Sequence, residues 1–132
     1  MLPYEKEIKE YVEALKKFKP KLVILFGSIA KRSFGVGSDV DLLVVSDFLP
    51  DNFKERLKLL YEIETKAPLD LKGYKSEEIK RMILKGHPLI LDALEYGIFI
   101  LAEKDFLDEI MELYEREKKK FKRIERGWIR VA

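Results

Sequence analysis

Asp39 and Asp41 stand two residues apart at the mouth of an apolar run, Leu42 to Val45. Ten residues separate them from a Gly27-Ser28 step, which closes another apolar run, Leu22 to Phe26. Short runs rich in Val, Ile and Leu read as buried strands. Alternate residues of a strand face one side, so Asp39 and Asp41 present two negative charges to one small volume. Like charges that close oppose each other's ionisation, and a divalent cation would turn that cost into a use. Gly27 would let backbone approach a ligand closely. A helix starting at Ser28 would aim free N–H groups and the positive end of its dipole at a phosphate. Carboxylates beside a bound phosphate suit Mg²⁺, which binds through one or two carboxylates plus phosphate oxygens. Two such ions can activate an attacking hydroxyl and steady a leaving pyrophosphate. The bland alternatives are a strand-to-helix turn capped by Ser28 and a solvated strand end.

The elements that must position these groups follow from periodicity. Pro3 to Lys19 is expected to be a helix with Ile8, Tyr11, Val12, Leu15 and Phe18 on its inner face. Strands are expected at Lys21–Phe26 and Val40–Ser46, with a short helix from Ser28 to about Ser33 and a glycine-bearing loop, Phe34–Ser38, between them. A second helix opens at Pro50-Asp51, with Asp51 as cap and Phe53, Leu57, Leu60 and Tyr61 or Ile63 inward, ending near Lys66. Leu69–Gly73 is a third strand. Ser76 caps a helix with Ile79, Met82 and Ile83 inward, closed by Gly86. A helical segment over Pro88–Glu95, a strand over Gly97–Leu101 and a long helix from Asp105 to about Arg126 complete the chain. The expectation is a small α/β (α+β) domain over residues 1–126, a mixed sheet of about four strands with helices packed on it, followed by a tail over 127–132 that carries Trp128.

Composition narrows the class. The chain has 132 residues, 47% of them hydrophobic, which suits one globular core. It has no cysteine, so disulfides and thiolate chemistry are excluded. The charged residues, 38% of the chain, nearly cancel at net +2. That balance argues against nucleic acid as the main partner. No apolar run approaches a membrane span, and the charged start MLPYEKEIKEY has no signal-peptide core, so a cytoplasmic location is expected. Abundant Lys and Glu, no Gln and a single Asn, Asn52, fit a thermophile pattern.

The stretch from strand through Gly27-Ser28, ten residues and Asp39-Val40-Asp41 to the next strand resembles the signature of the polymerase-beta-like nucleotidyltransferase superfamily. Chain length and the phrase SDVDLLVV look closest to its minimal nucleotidyltransferase (MNT) group. The resemblance covers roughly residues 20–102. It implies the nucleotidyltransferase fold and a third carboxylate on a later strand. Asp70, alternating with Leu69 and Leu71, is the candidate to hold metal and act as base. Asp47, six residues past Asp41, would lie ~20 Å away at the wrong end of the strand. The family often carries a basic residue near Lys31 and Arg32 that could meet the triphosphate, and Ser38 could support the loop or a phosphate. His87 and the lysines at 118–120 read as a helix exit and a solvated face.

The resemblance therefore implies Mg²⁺-dependent transfer of a nucleoside monophosphate, AMP from ATP, with Gly27 and Ser28 on the phosphates and Asp39, Asp41 and Asp70 on two metal ions. One small domain leaves little surface for a large acceptor, so a partner protein or a second copy is expected to complete the site. MNT proteins are commonly paired with helical HEPN proteins as toxin–antitoxin systems, in which the MNT member transfers AMP to its partner. The alternatives are a non-catalytic module that blocks such a partner by contact, and transfer to a small molecule or an RNA end.

Overall fold

The computed structural model describes residues 2–30, 39–124 and 127–131, leaving aside the side chains of residues 28 and 29. Helix α1 (Glu5–Leu15) leads through a 3₁₀ turn, Lys16–Phe18, to β1 (Leu22–Phe26) and a four-residue α2 (Gly27–Ala30). Then come β2 (Val40–Val45), α3 (Phe53–Tyr61), β3 (Leu69–Tyr74), α4 (Ser76–Lys85) and α5 (Pro88–Tyr96). The chain continues as β4 (Ile98–Ala102), α6 (Lys104–Glu117), a 3₁₀ turn over Lys118–Lys120, β5 (Phe121–Ile124) and β6 (Gly127–Arg130). The main sheet is mixed, with strand order β3-β2-β1-β4. β1 pairs antiparallel with β2 and β4, and β2 pairs parallel with β3. A fold of mixed sheet and packed helices is thus what the sequence led one to expect. Among the described residues no helix is long and apolar enough to cross a membrane.

Both faces of the sheet are covered, which is why β1 and β2 read as continuous apolar runs rather than alternating ones. Val23, Leu25, Val40, Leu42, Val44 and Leu71 pack against Ile8, Tyr11, Val12 and Leu15 of α1 and Leu60 of α3. Leu22, Ile24, Leu43 and Val45 pack on the other face against Ile79, Ile83, Ile90, Leu91, Phe106 and Ile110, from α4, α5 and α6. Because side chains alternate, Asp41 and Asp70 fall on the second of these faces, at the end of the sheet where β2 and β3 begin.

Helix α3 differs from expectation in cap and in face. Its cap is Asn52, whose Oδ1 accepts the Glu55 N–H, not Asp51. Its buried positions are Arg56 and Leu60, while Phe53, Leu57 and Tyr61 are exposed. Arg56 is 1% exposed. Its five N–H donors all find acceptors: Nε on Pro50 O, Nη1 on Gly73 O and Glu78 Oε1, Nη2 on Asp51 O and Glu78 Oε2. A guanidinium can be buried when every donor of its fork is matched in this way. Tyr61 faces the outer edge of β3, where its hydroxyl donates to Leu69 O and accepts from Leu71 N–H. Together Tyr61 and Arg56 occupy backbone groups of an edge strand that would otherwise be open to pairing.

The C-terminal segment also departs from expectation. α6 stops at Glu117 rather than near Arg126. Phe121 turns to extended geometry and Phe121–Ile124 pairs antiparallel with Gly127–Arg130, so residues 127–130 form a strand instead of a tail. The cause is packing. The Phe121 ring lies against Gly86, so close that a Cβ there would fall 2.1 Å from it, and Arg130 stacks over its other side. Trp128 donates its Nε1–H to Asp92 at 3.0 Å. Ser76 is the first residue of α4 rather than its cap. Its N–H and hydroxyl both donate to Asp47, and Glu78 accepts the Lys75 N–H.

Replacing Arg56 by Met leaves Glu78 without its ion pair and three carbonyls without donors. The expected loss is about 3–5 kcal/mol in a guanidinium titration, with Arg56→Lys recovering only part because an ammonium cannot match the fork.

Candidate active site

The register of β2 on β3 sets Asp41 directly opposite Asp70. Residues opposite each other in a ladder share a face, so the two carboxyls face each other. The Asp41 carboxyl is pushed up from 3.8 to about 6. Burial is the largest cause, and the nearness of Asp70 comes next. Asp39 adds to the rise and Lys72 opposes it. Lys72, two residues on from Asp70 and on its face, donates to Asp70 Oδ1 at 3.1 Å. Asp39 lies just before β2 and is exposed.

Gly27 has a reason that sequence reading placed elsewhere. Its φ is +73°, and a Cβ at this position would lie 2.1 Å from Asp41 Oδ2. The close approach is to the protein's own carboxylate, so glycine is required both by conformation and by space. Gly27 opens α2, which packs on β2, β1 and α5. Ser28 lies within that helix, and Lys31, Arg32 and Ser38 lie outside the described residues. The structure therefore brings together Gly27, Asp41 and Asp70, adds Lys72, which sequence reasoning missed, and leaves Asp39 at the rim. A cation one strand-repeat from a candidate catalytic acid was the available signal for Lys72. Asp47 is engaged with Ser76 and Lys21, past the far end of β2.

Two facing carboxyls, one of them pushed up to about 6, fit a divalent cation by their chemistry: a metal would replace the proton that relieves their repulsion. Mg²⁺ asks for no more than one or two such carboxylates when substrate phosphates complete its shell. Among the described residues no three His, Cys, Asp or Glu side chains converge as a metal-holding group. The built part of the site is the Asp41–Asp70 pair. A groove of about 740 Å³ between α1 and the 61–67 segment opens on the opposite face, where Leu69 and Leu71 point away from Asp70.

A mixed sheet that aims a carboxyl pair past a glycine-led turn is the arrangement of nucleotidyl-transferring domains, and the chain belongs to that family: the model described as "Polymerase beta, Nucleotidyltransferase" matches residues 6–96. Over 46 residues the chain is 48% identical to the Methanocaldococcus jannaschii protein named "Putative protein adenylyltransferase MJ0604". That match spans 33% of this chain and 46% of the relative, less than half of its length. Among solved structures, a Sulfolobus solfataricus protein described as a "putative nucleotidyltransferase" superposes with a TM-score of 0.55 at 21% identity, covering 75% of this chain and 80% of its own. A chain from a toxin–antitoxin structure with AMP-PNP aligns at a TM-score of 0.48 and 16% identity, over 84% of this chain and 89% of its own.

The carboxyl pair carries a stability signature. The folded chain keeps a proton on Asp41 where the unfolded chain has released it, so stability falls as pH rises from 3.8 to about 6 and stays lowered above. In EDTA, Asp41→Asn is expected to be more stable than the parent at pH 7 by about 1 kcal/mol, less than the full shift implies because the carboxyl is half open to water. Melting curves should show that advantage shrinking away toward pH 4. Gly27→Ala is expected to cost about 1–2 kcal/mol from backbone conformation alone, with a further loss from the contact with Asp41. Denaturant titration of Gly27→Ala alone and with Asp41→Ala separates the two contributions.

Proposed function

We propose that this chain is a magnesium-dependent nucleotidyltransferase that moves AMP from ATP to a hydroxyl of a partner protein. In this reading the partner is a helical HEPN protein that the modification silences, and the two form a toxin–antitoxin pair. The observation that carries the reading is the meeting of Asp41 and Asp70 across one register of β2 and β3, beside a glycine with no room for a side chain. Family membership supports nucleotidyl transfer. The 46-residue likeness to a protein named for adenylyl transfer to protein supports AMP and a protein acceptor. The HEPN partner comes from the resemblance of Gly27-Ser28 and Asp39-Val40-Asp41 to the MNT pattern.

Asp41 and Asp70 would hold Mg²⁺, with Asp39 assigned to the same ion from the rim, and the ion when bound would supply positive charge to the phosphates and sharpen the acceptor hydroxyl. Backbone N–H groups at Gly27 and Ser28 receive the terminal phosphates, with Lys31, Arg32 and Ser38 assigned to the same anion. Asp70 takes the proton of the acceptor hydroxyl on a carboxylate oxygen. The acceptor oxygen then bonds to the α-phosphorus as the bond to pyrophosphate breaks, so AMP passes to the acceptor and pyrophosphate leaves. Asp41 and Asp70 also hold each other in place through the ladder, so the base and the phosphate-facing carboxylate keep a fixed separation.

Incubating the chain with α-labelled ATP, Mg²⁺ and a co-purified partner is expected to label the partner. Asp41→Asn and Asp70→Asn should each lower transfer at least about a hundredfold, with circular dichroism unchanged. Full transfer by both variants would sink the reading, and tight partner binding with no label in the parent chain would replace it with inhibition by contact.

A further inference from the structure

Lys72 is the one cation set against the acid pair among the described residues that touch it. β3 presents Asp70, Lys72 and Tyr74 on one face, and the Lys72 ammonium donates to Asp70 Oδ1 at 3.1 Å. The two side chains are 37% and 41% exposed. A pair so open to water adds only about 0–1 kcal/mol to a fold, so structural need does not explain it. Arg56, at the other end of the same strand, shows what a structural cation looks like here: buried, with its whole fork matched. Lys72 is the opposite kind, a compact ammonium on a flexible stem held by a point contact. That kind of cation can leave without disturbing the sheet.

Resting on the metal-site reading above, we propose that Lys72 is the resident counter-ion of the acid pair, a positioning residue that steadies Asp70 until a divalent cation displaces its ammonium. Its charge then remains beside the site and favours the anionic nucleotide. The two consequences have opposite signs. A positive charge a few ångströms from the carboxylates competes with a free metal ion and attracts a metal–nucleotide complex. A merely structural lysine would move neither, or would lower both together.

The test uses the full chain at fixed ionic strength, with Mn²⁺ alone followed by electron paramagnetic resonance and Mg²⁺·α,β-methylene-ATP followed by calorimetry. Lys72→Met is expected to bind Mn²⁺ about five- to tenfold more tightly than the parent and the nucleotide complex more weakly by a similar factor. Lys72→Arg keeps the charge and can grip a carboxylate with two donors, so its Mn²⁺ affinity should return to the parent value or fall below it. Lys72→Gln serves as a second neutral variant and should follow Lys72→Met. Unchanged or weakened Mn²⁺ binding in both neutral variants overturns the inference and leaves the metal site standing. A joint rise in metal and nucleotide affinity overturns it too. Failure of the parent chain to bind Mn²⁺ any better than Asp41→Asn overturns the metal reading itself, and the inference with it.

Discussion

The parallel register of β3 on β2 is the constraint that the rest of the structure serves. Antiparallel neighbours can be joined by a tight turn, but parallel ones need a crossover. Here the crossover runs from Ser46 to Pro68 and carries α3 across one face. Everything along it acts to hold β3 at one register. Arg56 binds the Gly73 carbonyl on β3 and the Glu78 carboxylate on α4, tying crossover, strand and following helix at one end. Tyr61 holds Leu69 and Leu71 at the other end. Asp47 takes the first N–H of α4 just past the end of β2. A slip of one residue would turn Asp70 into the core on the α1 side and bring Leu69 or Leu71 to face Asp41.

That rigidity is spent on an unfavourable contact. Asp41 sits between Gly27 and Asp70, half out of water, with its ionised form disfavoured by burial first and by Asp70 second. Nothing in the core requires a carboxylate there, and Lys72 relieves only part of the repulsion. Sites that lower stability where the surrounding fold is most tightly specified are the usual location of chemistry, because the fold must hold groups in an arrangement they would not choose. The absence of a side chain at Gly27 belongs to the same arrangement. It lets the turn after β1 come down onto the Asp41 carboxyl, so the backbone proposed to meet phosphate and the acid proposed to meet metal are fixed relative to each other.

The carboxyl pair of the candidate site was legible in the sequence because its parts break the pattern of their surroundings. Two carboxylates at the mouth of an apolar strand and a third inside LDLKG cannot be explained by burial, and period-two alternation already put Asp70 opposite to Leu69 and Leu71. The helix faces were legible wherever the buried stripe was apolar, as in α1. They failed at α3, where hydrophobic periodicity selects Phe53, Leu57 and Tyr61 while the structure buries Arg56. Burying an arginine depends on acceptors from Pro50, Asp51, Gly73 and Glu78, and no local pattern reports that such partners will converge. The end of α6 failed for a related reason. Phe121 and Ile124 fit helical spacing, and only the socket above Gly86, 35 residues earlier in the chain, makes extended geometry the better use of Phe121. Gly27 was read as a close approach to a ligand, and the structure sets the Asp41 carboxyl against it, a neighbour no local pattern could name.

The acid pair lies at the end of the sheet where β2 and β3 begin. Asp70 is 41% exposed in its side chain, Asp39 is exposed, and the groove of about 740 Å³ is on the other face. On the proposed reading, an acid pair held by one strand register and exposed at the sheet's end can be reached by a hydroxyl that another folded chain presents. Should the proposal hold, this chain contributes the carboxylates, and the register of β2 on β3 is what fixes their separation.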